Sequence, residues 1–226
     1  MLTLQVIAHV LKSELSPKRL PHVHSYFKGR GPLSALKQVS ELFKNTHSSD
    51  PNRPLYVLRR DIREYTERIP THPGSPLWQI LERELKSKWI IRLIRQITCA
   101  TVNVDGAPQS FCRWRGVPMG LAITPWIANL YLSEFDAKVA ATQGTLLYLR
   151  YGDDLLWVGE SSEAAEAAEK QMASLLGTHG LEFNESKSLR LAVTRNGAGP
   201  NGTTRFEYLG VSVLRSGALA LPPKRR

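Results

Sequence analysis

The sequence predicts an α+β fold in which a mixed, mostly antiparallel sheet is backed by helices. The first observation is a pair of apolar runs on either side of Gly152, which is typical of two antiparallel strands joined by a tight turn. The second is a β-prone run at 54–61 that leads into a segment able to form a helix. The third is helical spacing of apolar residues over 76–99, together with an Ala- and Glu-rich segment over 161–176 that is expected to form a helix.

The charge of the chain indicates a polyanionic partner. Lysine and arginine number 30 against 20 aspartate and glutamate, a formal net charge of +10 on 226 residues. Nucleic acid is the first candidate, while a basic surface that only aids solubility is the alternative. A membrane partner is disfavoured because no stretch approaches the length of a spanning helix. Cys99 and Cys112 form no metal-ligand pattern, which predicts a reducing, cytoplasmic location without structural zinc.

The first half of the chain opens with a predicted helix over 1–15 that lacks the features of a secretory signal. Its expected inner face contains Leu2, Val6, Val10 and Leu11. A second helix is predicted over 33–43, and the polar stretch 45–52 is expected to be a surface loop.

A basic loop punctuated by glycines lies between these two helices, at 22–32. Lys28 and Arg30 stand two positions apart in it. Such a loop is able to present cations and backbone amides to phosphate groups, although an ordinary solvated loop has the same composition.

Asp61 is the first candidate for chemistry, because it ends the β-prone run 54–61. Sheet proteins commonly place ligand chemistry at the carboxyl ends of strands. The backbone amides of Arg63, Glu64, Tyr65 and Thr66 follow it and would face a triphosphate.

The middle of the chain is predicted to be mostly core. Nine apolar residues at helical spacing indicate one long core-packing helix or two shorter ones over 76–99: Leu77, Ile80, Leu81, Leu85, Trp89, Ile90, Leu93, Ile94 and Ile97. A hairpin signal follows at 102–106. The loop 115–125 and an apolar helix over 125–139 then indicate close backbone approach, either to a base pair or to a neighbouring helix.

The turn at Gly152 carries two adjacent carboxylates, Asp153 and Asp154. Successive side chains of an extended chain point to opposite faces, so one is able to face a site while the other points aside. Paired carboxylates at such a turn suit a hard divalent cation, although a solvated acidic turn is the simpler alternative.

The last third is predicted to contain a helix over 161–176 that begins at Ser161 or Ser162. The segment 181–188 then places Lys187 at a strand edge. The run 206–214 is expected to be one strand with a central glycine, and the end of the chain is a basic tail.

The order of these pieces resembles the palm and fingers of reverse transcriptases, especially the bacterial, group II intron-like branch. Asp61 matches the first catalytic motif, 116–131 the second, 151–154 the third, 180–187 the fourth, and 206–210 the primer-grip strand. The resemblance implies an N-terminal helix and fingers-like segment at 1–53, a palm catalytic domain at 54–215, and a basic tail at 216–226. It also implies a compact member without a recognisable thumb.

The resemblance implies an RNA-directed DNA polymerase that adds nucleotides to a primer 3′ hydroxyl. Two Mg²⁺ ions, or Mn²⁺ in their place, would be held by Asp61, Asp153, Asp154 and the Ile62 carbonyl. Asp61 and Asp153 are therefore expected to meet across adjacent strands. Lys187 would protonate or screen the leaving pyrophosphate. The resemblance also implies nucleotide-binding residues (Lys28, Arg30, Arg63, Glu64, Tyr65, Thr66, Met119 and Gly120) and primer-binding residues (Leu209 and Gly210).

The chain departs from the family pattern in three places. Thr66 stands where an aromatic residue usually excludes a 2′ hydroxyl, which predicts relaxed sugar selectivity. Met119 and Gly120 stand where a Gln-Gly pair is usual. Ile123, Thr124 and Pro125 stand where Ser-Pro is usual. Few residues follow the primer-grip strand, so low processivity is expected unless a partner protein or structured RNA completes the clamp.

The expected partners are an RNA template, a primer strand, and deoxynucleoside or nucleoside triphosphates, with no membrane. A mobile-element or host-defence setting follows from the resemblance. Two alternatives stay open: an RNA-synthesising or untemplated polymerase on the same palm, and a non-catalytic RNA-binding scaffold. The three acidic residues disfavour the scaffold, because clustered like charges are costly without a cation.

Overall fold

The computed structural model describes residues 2–14, 20–98, 101–104, 107–110 and 114–222. The helices in this part of the chain are α1 (Leu2–Glu14), α2 (Pro32–Ser49), α3 (Tyr65–Arg68), α4 (Pro76–Glu84), α5 (Lys88–Thr98), α6 (Thr124–Tyr131), α7 (Ser133–Ala140) and α8 (Ser162–Thr178). The strands are β1 (Leu55–Asp61), β2 (Thr101–Val104), β3 (Ala107–Ser110), β4 (Thr145–Tyr151), β5 (Asp154–Gly159), β6 (Leu189–Val193), β7 (Gly202–Thr203), β8 (Arg205–Tyr208), β9 (Val211–Leu214) and β10 (Leu219–Ala220). Cys99 and Cys112 lie outside the described residues.

The chain divides into two units built from discontinuous segments. We call them the helical unit (Met1–Pro21, Arg63–Glu134 and Leu175–Glu182) and the sheet unit (His22–Ile62, Phe135–Ser174 and Phe183–Arg226). The predicted division at 53 and 215 concerns functional segments and stays a prediction.

The sheet unit is organised around a five-stranded sheet in the order β4-β5-β1-β6-β7. β1 is antiparallel to both of its neighbours, and only the short pair β6 and β7 is parallel among the described strands. A second, three-stranded antiparallel sheet has the order β10-β9-β8. The predicted α+β fold with a mixed, mostly antiparallel sheet is therefore confirmed.

Helix α2 covers the core of this unit. Pro32 occupies its first turn, and the Gly31 amide donates to Ser34 Oγ at 2.9 Å, which satisfies a donor at the helix start. Its apolar face packs into a core of strand residues from both sheets; this core includes Ala35, Leu36, Val39, Phe43, Leu55, Val57, Leu149, Leu156, Val158, Val193, Phe206, Tyr208 and Val213. α2 runs on to Ser49, so the predicted loop over 45–52 is wrong for its first half.

The helical unit contains α3, α4, α5 and α6 and the β2–β3 hairpin. The two-helix alternative holds for 76–99, since α4 ends at Glu84 and α5 begins at Lys88. Leu77, Ile80 and Ile90 are buried as expected. Trp89, predicted to be core, is 51% exposed.

Three other elements differ from expectation. The helix predicted over 125–139 is broken into α6 and α7 at Leu132. The run 206–214 is a hairpin and not one strand, because Leu209 and Gly210 both adopt positive φ and turn the chain between β8 and β9. In α1 the buried residues are Ile7 and Leu11, whereas Val6 is half-exposed; the Leu2 side chain lies outside the described residues.

Candidate active site

The register of β1 and β5 brings the predicted acidic residues to one end of the main sheet. Asp61 stands directly opposite Asp154, and the Ile62 amide donates to the Asp153 carbonyl at 3.0 Å. The Asp61 carbonyl accepts from the Asn184 amide at 2.7 Å. Asp61 therefore lies next to the turn that carries Asp153, but its partner across the two strands is Asp154 and not Asp153, the partner expected from the sequence.

The turn at 152–153 is fixed from both sides. Gly152 has a φ of +64°, a conformation that L side chains rarely adopt. Its amide donates to Ser25 Oγ at 3.1 Å, and its carbonyl accepts from Arg150 Nη1 at 3.3 Å. The backbone just before Asp153 is thus held at both polar groups of Gly152, its amide by Ser25 and its carbonyl by Arg150.

A buried ion pair anchors this turn from behind. Arg150 is fully buried and makes a bidentate contact with Asp136, with Nη2 at 2.7 Å from Oδ2 and Nε at 2.9 Å from Oδ1. The Tyr148 hydroxyl donates to Asp136 Oδ1 at 2.8 Å. Burial, followed by the Asp136 charge, raises the pKa of Tyr148, so the hydroxyl keeps its proton and remains a donor.

The two carboxylates of the turn have different surroundings. Asp154 is half-buried and pairs with Arg59, whose Nη2 lies 3.1 Å from Oδ1. Asp153 is exposed to solvent at the turn. Even so, partial desolvation of its carboxyl group, and then the charges of Asp61 and Asp154, raise the pKa of Asp153. Among the described residues, Asp153 forms no ion pair and only the charge of Lys187 opposes the rise of its pKa by charge, whereas Asp154 is paired with Arg59.

Lys187 lies beside the buried carboxylate. It occupies a single 3₁₀ turn, Glu185–Lys187, that precedes β6, and not a strand edge as predicted. Its Nζ lies 3.1 Å from Asp61 Oδ2, with the lysine side chain 57% exposed and the aspartate side chain 8% exposed. This hydrogen bond and the Asp61 charge raise the pKa of Lys187, so the ammonium form is favoured.

The chemistry of this end of the sheet fits a hard divalent cation. Carboxylate and carbonyl oxygens are available from Asp61, Asp153 and Ile62, and these are the ligands that Mg²⁺ prefers. Within the described residues, no three acidic, histidine or cysteine side chains are close enough to form a ready-made metal site. Lys187 and Arg59 instead provide positive charge at Asp61 and Asp154.

The basic loop belongs to the same unit. Lys28 is exposed, whereas Arg30 is half-buried and donates to the Val23 carbonyl at 2.8 Å. The Arg30 guanidinium also lies 5.7 Å from the Phe27 ring centre. The loop is thus a folded turn held by its own arginine, with Lys28 facing solvent.

The residues from Arg63 to Thr66 belong to the helical unit. Arg63 is exposed and pairs with Glu182 at 3.1 Å, while Glu64 has a φ of +47° before α3 begins. The Tyr65 ring is buried, and its hydroxyl donates to the Ala128 carbonyl. Thr66 is half-buried, and its carbonyl accepts from the Val117 amide at 2.8 Å.

The glycine-rich loop of this unit shows two kinds of environment. A Cβ at Gly116 would lie 2.9 Å from the Glu67 carbonyl oxygen, so this glycine serves close approach to α3. Gly120 faces open space beside Met119, which is 65% exposed. Of the two alternatives, neighbouring helix or base pair, the helix accounts for Gly116 and leaves Gly120 accessible.

The predicted primer-grip residues form the tip of the β8–β9 hairpin. Leu209 has a φ of +48° and Gly210 a φ of +76°, so both central residues of this turn are left-handed. Leu209 is partly buried against the core of the sheet unit.

Four residues that support the acidic site were not singled out from the sequence: Ser25, Arg59, Asp136 and Arg150. The contribution of Arg59 could have been predicted from the sequence, because Arg59 lies two positions before Asp61 and therefore shares its face of the strand. Arg150 could also have been found from the sequence, because it is a cation inside the apolar run 146–150. The Ser25 and Asp136 contacts are long-range and had none.

Solved structures of telomerase have a fold similar to that of this chain. Telomerase of Candida albicans, in complex with a fragment of telomeric RNA, matches 97% of this chain with a TM-score of 0.75 and 15% identity. Telomerase of Candida tropicalis, in a similar complex, matches 98% with a TM-score of 0.70. The chain spans 38% and 37% of those structures. This chain therefore shares the fold of part of these two structures.

The sequence comparisons identify the family. The model of the family described as reverse transcriptase (RNA-dependent DNA polymerase) matches residues 5–213. The Gag-Pol polyprotein of Rous sarcoma virus subgroup C is 25% identical over 192 residues, which cover 71% of this chain and 12% of the polyprotein. The Escherichia coli retron Ec86 reverse transcriptase is 31% identical over 74 residues, which cover 32% of this chain and 23% of that protein. The chain belongs to the reverse transcriptase family and spans less than a quarter of the length of these two relatives.

Within the part of the chain that the structure describes, no helix is long and apolar enough to cross a membrane.

Proposed function

We propose that this chain is an RNA-directed DNA polymerase that adds nucleotides to a primer 3′ hydroxyl. The observation that carries the proposal is the meeting of Asp61 with the turn at Asp153 and Asp154, in a chain of the reverse transcriptase family. Phosphoryl transfer of this kind depends on positioning and on stabilising negative charge, so rigid carboxylates beside a lysine suit it.

The residues of the site have distinct proposed roles. Asp61 and Asp153 face the reacting groups, since Asp153 is exposed and Asp154 is engaged by Arg59. Lys187 holds a proton beside Asp61 and delivers it to, or screens, the departing pyrophosphate. The Arg150 contact to Gly152 keeps the turn in place while the substrates change.

Two Mg²⁺ ions, or Mn²⁺ as substitutes, are the proposed cofactors. When bound, they would hold the attacking and departing oxygens and neutralise the charge that develops on the phosphoryl group. Asp61, Asp153 and the Ile62 carbonyl are the proposed ligands, with Asp154 as a further ligand.

Other side chains are proposed to bind the nucleotide and the strands. Lys28 and Arg30 would neutralise the triphosphate, together with the amides of 63–66. Met119 and Gly120 would position the template base, and Gly120 has the open space for such a contact. The turn at Leu209 and Gly210 would support the primer end.

A primer-extension assay tests the proposal. The purified chain is given a DNA primer annealed to an RNA template, Mg²⁺ and deoxynucleoside triphosphates. Extension that stops at the template end, and that disappears when the template is omitted, supports a templated polymerase. Extension without template would favour the untemplated alternative, and binding of the primed template without extension would favour the scaffold.

Synthesis of RNA is a second candidate, favoured by the environment of Tyr65. Tyr65 is the aromatic residue nearest to the position that usually excludes a 2′ hydroxyl, but its ring is buried and its hydroxyl donates to Ala128. Thr66 at the selecting position is too small to exclude a ribose. We expect comparable incorporation of ribonucleotides and deoxynucleotides, and we expect Thr66→Phe to suppress ribonucleotides selectively. Strict deoxynucleotide use by the unmodified chain would remove this candidate.

The cellular setting stays a prediction of the resemblance. It comprises a cytoplasmic location, a mobile-element or host-defence role, and a clamp supplied by a partner protein or structured RNA. Product length at physiological salt, measured with and without copurifying RNA, tests the clamp.

A further inference from the structure

Helix α5 of the helical unit has an exposed face made of cations and one aromatic ring. Its buried side contains Ile90, Ile91, Ile94 and Thr98. Its exposed side presents Lys88, Trp89, Arg92, Arg95 and Gln96. Lys88, Arg92 and Arg95 recur at spacings of four and three, so they line one side of the helix.

The cations of this face extend into a cleft next to α4. The cleft has a volume of about 730 Å³, and its charged lining consists of five cations and one carboxylate: Arg83, Lys86, Lys88, Arg92, Arg95 and Glu82. Two of the arginines are partly neutralised, because Arg83 pairs with Glu84 and Glu134 and Arg95 lies 3.9 Å from Glu82. Lys88 and Arg92 make no ion pair with any described residue, so the cleft keeps a positive excess.

Arg95 is held in place by an aromatic ring, since its guanidinium carbon lies 4.7 Å from the Trp78 ring centre. Trp78 is buried, and its indole N–H donates to the His72 carbonyl at 3.0 Å. One cation of the cleft is therefore positioned by a contact within the protein itself.

Trp89 is the unusual member of this face. It follows the spacing of a core residue but is 51% exposed. It lies three positions before Arg92 and is therefore its neighbour on the helix surface. An exposed indole beside cations is the arrangement that binds single strands, because a base stacks on the ring while phosphates meet the cations.

We propose that the exposed face of α5 and the α4–α5 cleft bind a single-stranded stretch of RNA, with Lys88 and Arg92 on phosphates and Trp89 under a base. This proposal rests on the proposed function, in which such a strand is the template. An anionic membrane surface would also attract a cationic helix. It is disfavoured because the apolar side of α5 is buried in the fold and is unavailable for insertion.

Binding of fluorescent oligonucleotides, measured over a range of salt concentrations, tests this surface without any catalytic readout. The test variants are Lys88→Gln/Arg92→Gln and Trp89→Ala. The controls are Lys37→Gln/Lys170→Gln, which removes the same charge from lysines with 74% and 75% exposed side chains, and Trp114→Ala, which removes a tryptophan that is 49% exposed. Thermal unfolding shows whether each variant is folded.

We expect Lys88→Gln/Arg92→Gln to make the negative slope of log affinity against log salt shallower by about 1.4, because two contacts to the phosphates of a single strand are lost. Trp89→Ala should weaken binding of single-stranded RNA by about five- to 100-fold, with a smaller effect on duplex RNA. Single-stranded DNA of the same sequence should respond in the same way, because the phosphates and base faces are shared. The two controls should bind like the unmodified chain.

Equal effects of the test and control variants would overturn the proposal. So would the loss of binding to anionic phospholipid vesicles in the test variants with RNA binding unchanged. Primer extension is measured separately: a chain that binds RNA through α5 but does not extend a primer contradicts the proposed function and leaves this surface standing.

Discussion

The ammonium group of Lys187 lies 3.1 Å from Oδ2 of Asp61, a carboxylate that is 8% exposed at the end of β1. The contact joins residues 126 positions apart in the chain. It places an ammonium group at the acidic end of the sheet and compensates the negative charge of Asp61.

Replacement of Lys187 by alanine should slow nucleotide incorporation by about 100-fold, because a positioned general acid typically contributes 10²–10⁴-fold. RNA affinity should stay the same. Single-turnover primer extension measures the chemical step. Lys170→Ala is the matched control, since Lys170 is also an exposed lysine paired with a carboxylate, that of Glu166. Unchanged single-turnover rates in Lys187→Ala would exclude the proposed role.

The buried pair behind the turn should be costly to break. Arg150→Leu leaves Asp136 charged and unpaired in the core, which typically costs about 3–5 kcal/mol of unfolding free energy. Arg53→Leu breaks an exposed pair with Glu160 and should cost less than about 1 kcal/mol. Denaturant unfolding of both variants measures the difference. Similar losses in the two would show that the Arg150 pair does not anchor the turn.

His24 should make stability depend on pH. Its side chain is buried, its Nδ1 lies 2.7 Å from Ser34 Oγ, and its Nε2 has no hydrogen-bond partner among the described residues. Burial, then the charges of Arg30 and His22, lowers the pKa of His24 from 6.5 to about 4. Between these values the unfolded chain binds the proton and the folded chain does not, so stability falls as the pH drops from 6.5 to 4.

The expected loss from this group is at most about 3 kcal/mol over that range. Urea unfolding at several pH values measures it, with His24→Gln as the control that removes the titrating group. The unmodified chain should lose more stability than the variant on acidification. Parallel pH curves for the two proteins would contradict this assignment.

Gly159 at the end of β5 should not tolerate a side chain. A Cβ there would overlap the ring of Trp157, which is fully buried and donates its indole N–H to Thr145 Oγ1 at 2.8 Å. Gly159→Ala should cost about 1–3 kcal/mol through overpacking. Gly177→Ala in α8 has open space and should stabilise the chain by up to about 1 kcal/mol. The two substitutions are expected to change the free energy of unfolding in opposite directions. An unchanged free energy of unfolding for Gly159→Ala would be inconsistent with this packing.

The sequence predicted those parts of the fold that have a local signal. The strand ending at Asp61 follows from a β-prone apolar run, and the turn at Gly152 follows from a glycine between two apolar runs, which adopts positive φ. The sequence did not predict the hairpin at Leu209, because leucine is not a typical residue of a left-handed turn. Packing of the Leu209 side chain against the core offsets the conformational strain of its positive φ.

Long-range partners were beyond the reach of sequence patterns. The pairing of Arg150 with Asp136 depends on how α7 contacts the sheet, which no periodicity describes. The exposure of Trp89 has the same origin, since helical spacing shows which residues share a face and not whether that face is covered.

The central claim is that Asp61 and Asp153 act together in nucleotide addition. The most direct measurement compares single-turnover primer extension by Asp61→Asn, Asp153→Asn and the exposed control Glu160→Gln, each checked for RNA binding and thermal stability. The account predicts that the two Asn variants bind and fold like the unmodified chain but incorporate nucleotides at least about 1,000-fold more slowly. Incorporation by either Asn variant at the rate of the control would contradict it.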